Sequence, residues 1–444
     1  MKRRDFIKIS GAAALAAACG PRVETPSAPA HKGMEIRENP YNGDKVSLLG
    51  YGCMRWPMVP GPDGNDIIDQ EAVNEMVDYA MAHGINYYDT SPAYLQGQSE
   101  KAAGIALSRY PRESYFLATK LSNFRDSTPE ASMQMLEDSL EQLGTTYFDY
   151  YLLHSIGGGG VPVFEKRYVE NGMIDYLKQK KEEGVIRNLG FSFHGAPETF
   201  DYFMSLHDKG EIHWDFVQIE MNYIDWNHAD GVRNTNASYL YAELDKREIP
   251  IVVMEPLLGG RLANVPANIA SQLKARDPEH SVASWAFRFV GTYPRILCIL
   301  SGMSSMDPLK ENVETFGNFK ALTEEELAFM EHLAVEMKEY PLVNCTNCKY
   351  CMPCPFGIDI PGVFQHYNNS VTEGTYAQSK EQKGYRRLKR AYLTSYDKAI
   401  SSVRQADHCI GCGQCVEHCP QSIKIPDELL RIARYVEALK QDTL

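Results

Sequence analysis

The sequence predicts an α/β chain, a (β/α)8 TIM barrel followed by a small, mainly α-helical domain, and three observations carry that expectation. Eight short β-branched or aromatic apolar runs alternate with stretches of helical period between residues 46 and 303. No GxGxxG follows the first run, as a doubly wound dinucleotide fold would require. Composition then changes after Tyr340: eight of the 11 cysteines fall within residues 341–444.

The first twenty residues, MKRRDFIKISGAAALAAACG, read as an address rather than as structure. Arg3 and Arg4 followed by a short apolar stretch to Ala18 resemble a twin-arginine export signal. That stretch is too short to cross a bilayer, which takes about 20 apolar residues. Ala16, Ala17 and Ala18 lead into Cys19, which looks like a lipoprotein processing site. The expectation is a signal over residues 1–19 and an exported, lipid-anchored protein, with a cytoplasmic protein as the alternative. Residues 20–40, which open rich in Pro, Ala and Ser, read as a linker.

The eight strand candidates are VSLLGYGCM, INYYDT, YFLATK, DYYLLHS, VIRNLGFSF, FVQIEMN, IPIVVMEP and RILCILSGM. Helical patterns such as EAVNEMVDYAMAHG and ASMQMLEDSLEQLG lie between them, several ending in Gly, which supplies a left-handed cap. Residues 41–335 thus form the barrel unit, close to the usual length of about 250 residues. Its last helix, in LTEEELAFMEHLAVEMKEY, is opened by Thr323. The Gly-rich stretch at 157–160 has no adjacent Lys-Thr pair and reads as a flexible loop, not a phosphate cradle.

Apolar residues make up 44% and charged residues 23%, as in a folded soluble protein. A net charge of -13 argues against nucleic acid and against an anionic membrane surface, so membrane contact is expected only through an N-terminal lipid.

On a barrel, polar residues at the C-terminal ends of strands converge on one mouth. Asp89 closes INYYD, Lys120 closes YFLATK, His154 closes DYYLLH, and Tyr94 follows Asp89 in the next loop. Any one alone reads as a rim or core group; three at matching strand ends with Tyr94 in the adjoining loop point to a site.

In the C-terminal region, residues 341–444, Cys345, Cys348, Cys351 and Cys354 follow C-x2-C-x2-C-x2-C-P. Cys409, Cys412, Cys415 and Cys419 follow C-x2-C-x2-C-x3-C-P, the spacing of bacterial ferredoxins. The resemblance implies a ferredoxin-like iron-sulfur domain with two 4Fe-4S clusters, each taking its fourth cysteine from the other run. One would use Cys345, Cys348, Cys351 and Cys419, the other Cys409, Cys412, Cys415 and Cys354. The first run departs from the pattern by one residue before Cys354. Zinc on paired CxxC units and structural disulfides are the rivals, but neither needs a third cysteine and a Cys-Pro in each run. Cys53 and Cys298 sit in apolar strands and read as core.

The barrel sequence resembles the aldo-keto reductase family, on Gly84-Ile-Asn-Tyr-Tyr-Asp89-Thr90 with Tyr94 and Glu100, Ala118-Thr119-Lys120 and Leu152-Leu153-His154. The resemblance implies a catalytic tetrad of Asp89, Tyr94, Lys120 and His154 in which Lys120 lowers the pKa of Tyr94, the proton donor. It also implies a nicotinamide cofactor, NADP or NAD, with Ser192 and Gln218 at the carboxamide. Ser301, Gly302 and Ser304 would then form the phosphate loop, and Glu311 and Asn312 the adenine pair. The stretch Met254-Glu255-Pro256-Leu257 lacks the aromatic residue often stacked on the ring. The expected function is an oxidoreductase moving hydride between nicotinamide and a small carbonyl or alcohol, coupled to the clusters and an unidentified redox partner. The alternative is a non-catalytic electron-transfer or interaction subunit that uses the barrel as a platform.

Overall fold

Eight parallel strands close on themselves in the computed structural model, which describes residues 33–62, 65–229 and 234–444. They are labelled β1 (Leu49–Gly52), β2 (Tyr87–Asp89), β3 (Phe116–Leu121), β4 (Phe148–Ile156), β5 (Ile186–Phe193), β6 (Phe216–Glu220), β7 (Ile251–Met254) and β8 (Ile296–Ser301). Each pairs in parallel with its chain neighbours, and β8 returns to β1. Each coincides with the apolar run expected to form it, although β3 runs on to Leu121 and β4 extends from Phe148 to Ile156, past both ends of its run. Their reading is easy because a parallel barrel buries both faces of every strand, which then reads as an apolar run. The export signal and Cys19 lie outside the described residues.

Two layers of core fix the barrel. Inside it pack Tyr87, Ala118, Tyr150, Leu152, Phe216, Val252, Leu297 and Cys298. A larger layer lies between strands and helices and contains Cys53, so both cysteines are core, as expected, although Cys53 stands in the turn just after β1 rather than in a strand. Interior fit is tight: a Cβ on Gly50 would stand 2.5 Å from the Cys298 sulfur. Helix ends follow the sequence. Gly144 caps Pro129–Leu143 in the left-handed conformation, and Thr323 with Glu326 forms a full capping box on Glu324–Met337.

Three expectations need correction. VSLLGYGCM is not one strand: Lys45–Ser47 pairs antiparallel with Ile36–Glu38, the chain bends at Leu48, and β1 starts at Leu49. The same hairpin moves the barrel's start upstream of residue 41. Met34 is buried in its core and the Glu35 N–H donates to Phe316 O at 3.0 Å, so residues 34–40 belong to the barrel and not to a linker. Lastly, residues 157–160 form a packed turn rather than a loose loop. Gly157, Gly159 and Gly160 all have positive φ, and a Cβ on Gly157 would meet His194 O at 2.7 Å.

Beyond the barrel, helices Ile360–Thr372, Tyr385–Ala399 and Ile425–Gln441 pack around a separate core that includes Phe364, Tyr367, Tyr392 and Leu439.

Candidate active site

Asp89, Lys120 and His154 come together because β2, β3 and β4 are adjacent and each delivers its residue at the C-terminal end. Lys120 Nζ donates to Asp89 Oδ1 at 2.5 Å and to Thr90 O at 2.8 Å, with both side chains buried. Gln218 Nε2 donates to the other Asp89 oxygen at 3.2 Å. Burial pulls the pair in opposite directions, Asp89 upward and Lys120 downward, and their attraction opposes both.

Tyr94 is set by the turn Tyr94–Gly97, in which Leu95 and Gln96 both have positive φ, an uncommon backbone for such residues. Its ring lies 4.9 Å from Lys120 Nζ and meets the His154 ring edge-on at 5.8 Å between centroids. The phenol does not titrate low, as the tetrad reading expects. Burial holds it well above its ordinary value, and Asp89 and Tyr350 push the same way. Lys120 spends its charge on Asp89, so little net cation is left for the phenol.

Burial, then the Lys120 charge, holds His154 well below the ordinary imidazole range, so the ring is neutral. Its Nδ1 is held by the Ser122 hydroxyl at 2.5 Å and the Ser91 hydroxyl at 3.2 Å. Neither serine was among the expected site residues. Ser122, the first residue past β3, was readable, because two places after Lys120 an extended chain returns to the same side. Glu100 is buried and accepts from Thr119 Oγ1 at 2.6 Å, a supporting contact behind β3.

The positions expected to hold a nicotinamide lie on three strands, Ser192 near the end of β5, Gln218 in the middle of β6 and Ser301 at the end of β8. Ser192 Oγ accepts from the Ser155 N–H at 2.7 Å, which leaves its own hydrogen to donate. Gln218 spends its NH2 on Asp89 and keeps an oxygen to accept. One donor beside one acceptor suits a carboxamide. Asn312 Nδ2 donates to Ser301 Oγ at 3.0 Å, joining the two buried ends of the expected phosphate and adenine segment, while Ser304 and Glu311 are exposed. A cation missing from the sequence expectation stands here: the Arg55 side chain packs against Gly302, 3.0 Å from where a Cβ would be. It arrives from the turn after β1, far from Gly302 in sequence.

Cys345, Cys348, Cys351 and Cys419 line one cavity walled by Ile360, Phe364, Ile423 and Ile425. Cys354 lies instead within electrostatic reach of Cys415, as do Cys409 and Cys412. The two groups match the crossed ligand sets, Cys354 included. Four sulfurs spread around an apolar cavity fit a cubane with an iron at each.

This domain sits on the barrel mouth, which no sequence signal announced. Arg55 Nη2 donates to Thr346 O at 2.5 Å, Arg261 Nη1 to Asn344 Oδ1 at 3.1 Å, and Gln421 Nε2 to both Glu220 oxygens at 3.0 Å. A Cβ on Gly259 would stand 2.4 Å from Thr346 O, so glycine is what lets the two backbones meet. Tyr350, between Cys348 and Cys351 in the chain, comes within electrostatic reach of Asp89, Glu255 and Tyr94. The first cysteine run therefore borders the tetrad.

Comparison with known proteins agrees with this division. Residues 48–334 match the aldo/keto reductase family and residues 344–423 a 4Fe-4S dicluster domain. L-galactose dehydrogenase of Arabidopsis thaliana is 26% identical over 70% of this chain and 97% of its own length. NADH-specific methylglyoxal reductase of Escherichia coli is 28% identical over 63% of this chain and 93% of its own. Among solved structures, a holo aldo-keto reductase from Bacillus halodurans superposes with a TM-score of 0.53 at 23% identity, covering 68% of this chain and 96% of that one. An NADPH complex from Klebsiella pneumoniae gives 0.53 at 22%, over 68% and 96%. With the family matched across most of the chain and the barrel closed around the expected residues, this chain belongs to the aldo/keto reductase family and carries a C-terminal 4Fe-4S domain.

Proposed function

We propose that the chain interconverts a small carbonyl compound and its alcohol at the tetrad, with NADP or NAD as hydride carrier and two 4Fe-4S clusters as a second electron route. The observation that carries this reading is the buried Asp89–Lys120 pair at 2.5 Å with the Lys120 ammonium over the Tyr94 ring. The names of two relatives, an NADH-specific reductase and an NADPH complex, support a nicotinamide without choosing between its forms.

When bound, the nicotinamide supplies or takes up the hydride. Tyr94, held protonated, gives its proton to the carbonyl oxygen in reduction and receives one in alcohol oxidation. Asp89 holds Lys120 in place, and the Lys120 ammonium, 4.9 Å from the Tyr94 ring centroid, fixes the ring beside it. When Ser122 donates to His154 Nδ1, 2.5 Å away, the imidazole proton sits on Nε2, the tautomer that can donate to a substrate oxygen. Ser192 and Gln218 would hold the carboxamide, and the Gly302 loop with Arg55 the phosphates.

An anaerobic titration with NADH and NADPH, following nicotinamide absorbance and the paramagnetic signal of reduced clusters, tests the coupled reading. Absence of both binding and cluster reduction would sink it. A pH profile tests the role of Tyr94. Because burial raises its pKa above 10.0, carbonyl reduction should hold its kcat across neutral and mildly alkaline pH, and a fall near neutrality would contradict the assignment.

The clusters are assigned to the crossed sets. Cys419→Ser is expected to remove one paramagnetic signal and Cys354→Ser the other, each leaving its neighbour intact. Loss of the same signal in both variants would overturn the crossing.

We further assign the chain to the twin-arginine export route with Cys19 lipidated, on Arg3, Arg4 and the small residues before Cys19. Fractionation with labelled lipid tests it, and a soluble, uncleaved product would refute it.

A further inference from the structure

We propose that the face around Cys409 and Cys412 is the docking site of a separate, acidic one-electron carrier protein. The inference rests on the cluster reading above, and its observations come from a part of the chain far from the tetrad.

The first observation is exposed apolar surface. Val403, at 67% exposure, and Ile410, at 66%, are the two most exposed large apolar side chains among the described residues. Val403 lies six residues before the second cysteine run, and Ile410 lies within it, next to Cys409. Phe356, 44% exposed, follows Cys354, and the next residue, Gly357, would bring a Cβ to 3.9 Å from Val403 O. Asp359 N donates to Arg404 O at 3.1 Å, which fixes the two segments side by side. Phe356, Val403 and Ile410 therefore rise from the segments that carry ligands of the second group. Cys412 is the exposed thiol of the eight. Clustered apolar exposure of this kind marks an interaction site rather than ordinary surface.

The second observation is charge. The chain as a whole is at -13, yet residues 385–408 hold Arg386, Arg387, Lys389, Arg390, Lys398 and Arg404 against Asp397 and Asp407. Lys389 is paired with Asp442 at 2.8 Å. Arg386, Arg390, Thr394 and Lys398 recur every four residues, so they share one face of helix Tyr385–Ala399 and line a groove along it. The helix leads into the patch. Its Tyr396 hydroxyl accepts from Ala406 N at 3.1 Å, and its Asp397 accepts from Gln405 Nε2 at 3.0 Å, just before Cys409. An apolar centre with a mainly cationic rim is the anatomy of a steered, short-lived protein contact. The cationic rim selects an acidic partner, and the cluster beneath fixes its chemistry: one electron crosses, the cluster gaining what the carrier loses or the reverse.

The test uses the full-length holoprotein with an acidic plant-type ferredoxin and a flavodoxin as probes, measuring equilibrium affinity and the stopped-flow rate of electron exchange at low and high salt. The unmodified chain should bind at least one probe at low salt. Arg386→Glu with Arg390→Glu should slow exchange about tenfold or more at low salt, with the difference shrinking as salt screens it. Val403→Ser and Ile410→Ser should each weaken affinity about tenfold at every salt, from the lost apolar contact. Cluster signals should stay unchanged in all of them; their absence from the unmodified chain would fail the cluster reading itself, not the docking site. Variants that bind and exchange like the unmodified chain would overturn the proposal. So would failure of both probes to bind at low salt, or charge reversal that abolishes only binding to phosphatidylglycerol vesicles.

Discussion

Replacing Tyr94 by Phe is expected to lower carbonyl turnover by about 10²–10⁴-fold, the usual worth of a positioned proton donor. The change removes one oxygen and keeps the ring that Lys120 and His154 contact at 4.9 and 5.8 Å. Packing should therefore survive, substrate affinity should move little, and the clusters should still reduce with dithionite. Steady-state kinetics beside the paramagnetic signal separates these effects. Turnover that persists in the variant would remove Tyr94 from its assigned role.

Asp89→Ala has the second large effect, and on stability as well as rate. Lys120 is fully buried and Asp89 is its charge partner, so removing the carboxylate strands an ammonium that water cannot reach. Breaking a buried pair from one side costs about 3–5 kcal/mol. The melting temperature should fall by several degrees and reduction should collapse. Asp89→Leu combined with Lys120→Met distinguishes the two losses, since apolar replacement of a whole buried pair is often neutral. The double variant is expected to melt close to the unmodified protein and to remain inactive. A double variant as unstable as Asp89→Ala would mean that the fold needs this polar pair and not merely its balance.

Much of this was legible in the residues, for local reasons. Barrel strands announce themselves because burial on both faces leaves no polar alternation to confuse them, and Gly144 or Thr323 marks a helix end by its own backbone or hydroxyl. Asp89, Lys120 and His154 could be aligned because each closes a strand, and strand ends share one face of a barrel. What escaped depends on contacts between distant segments. The split at Leu48 is an exception: it follows from a local hairpin of Ile36–Glu38 with Lys45–Ser47, hidden because residues 20–40 read as a linker. The elevated phenol of Tyr94 reflects the total burial of its site, a property of the assembled mouth. Arg55 beside Gly302 and Tyr350 near Tyr94 join residues whose separation along the chain exceeds any sequence motif.

The meeting of Thr346 with Gly259 has a consequence for how the molecule is made. Synthesis runs from the N-terminus, and a domain can fold once its own residues have emerged. This barrel's strands are complete at Ser301, but its mouth is finished by Thr346, Tyr350 and finally Gln421, which closes on Glu220. A nascent chain would thus carry an unroofed barrel until its last segment was released, exposing Glu220, Glu255 and Asp89 to water in the interval. Maturation of the reductase half is tied to completion of the iron-sulfur half, so a truncated product should present an open barrel rather than a working enzyme.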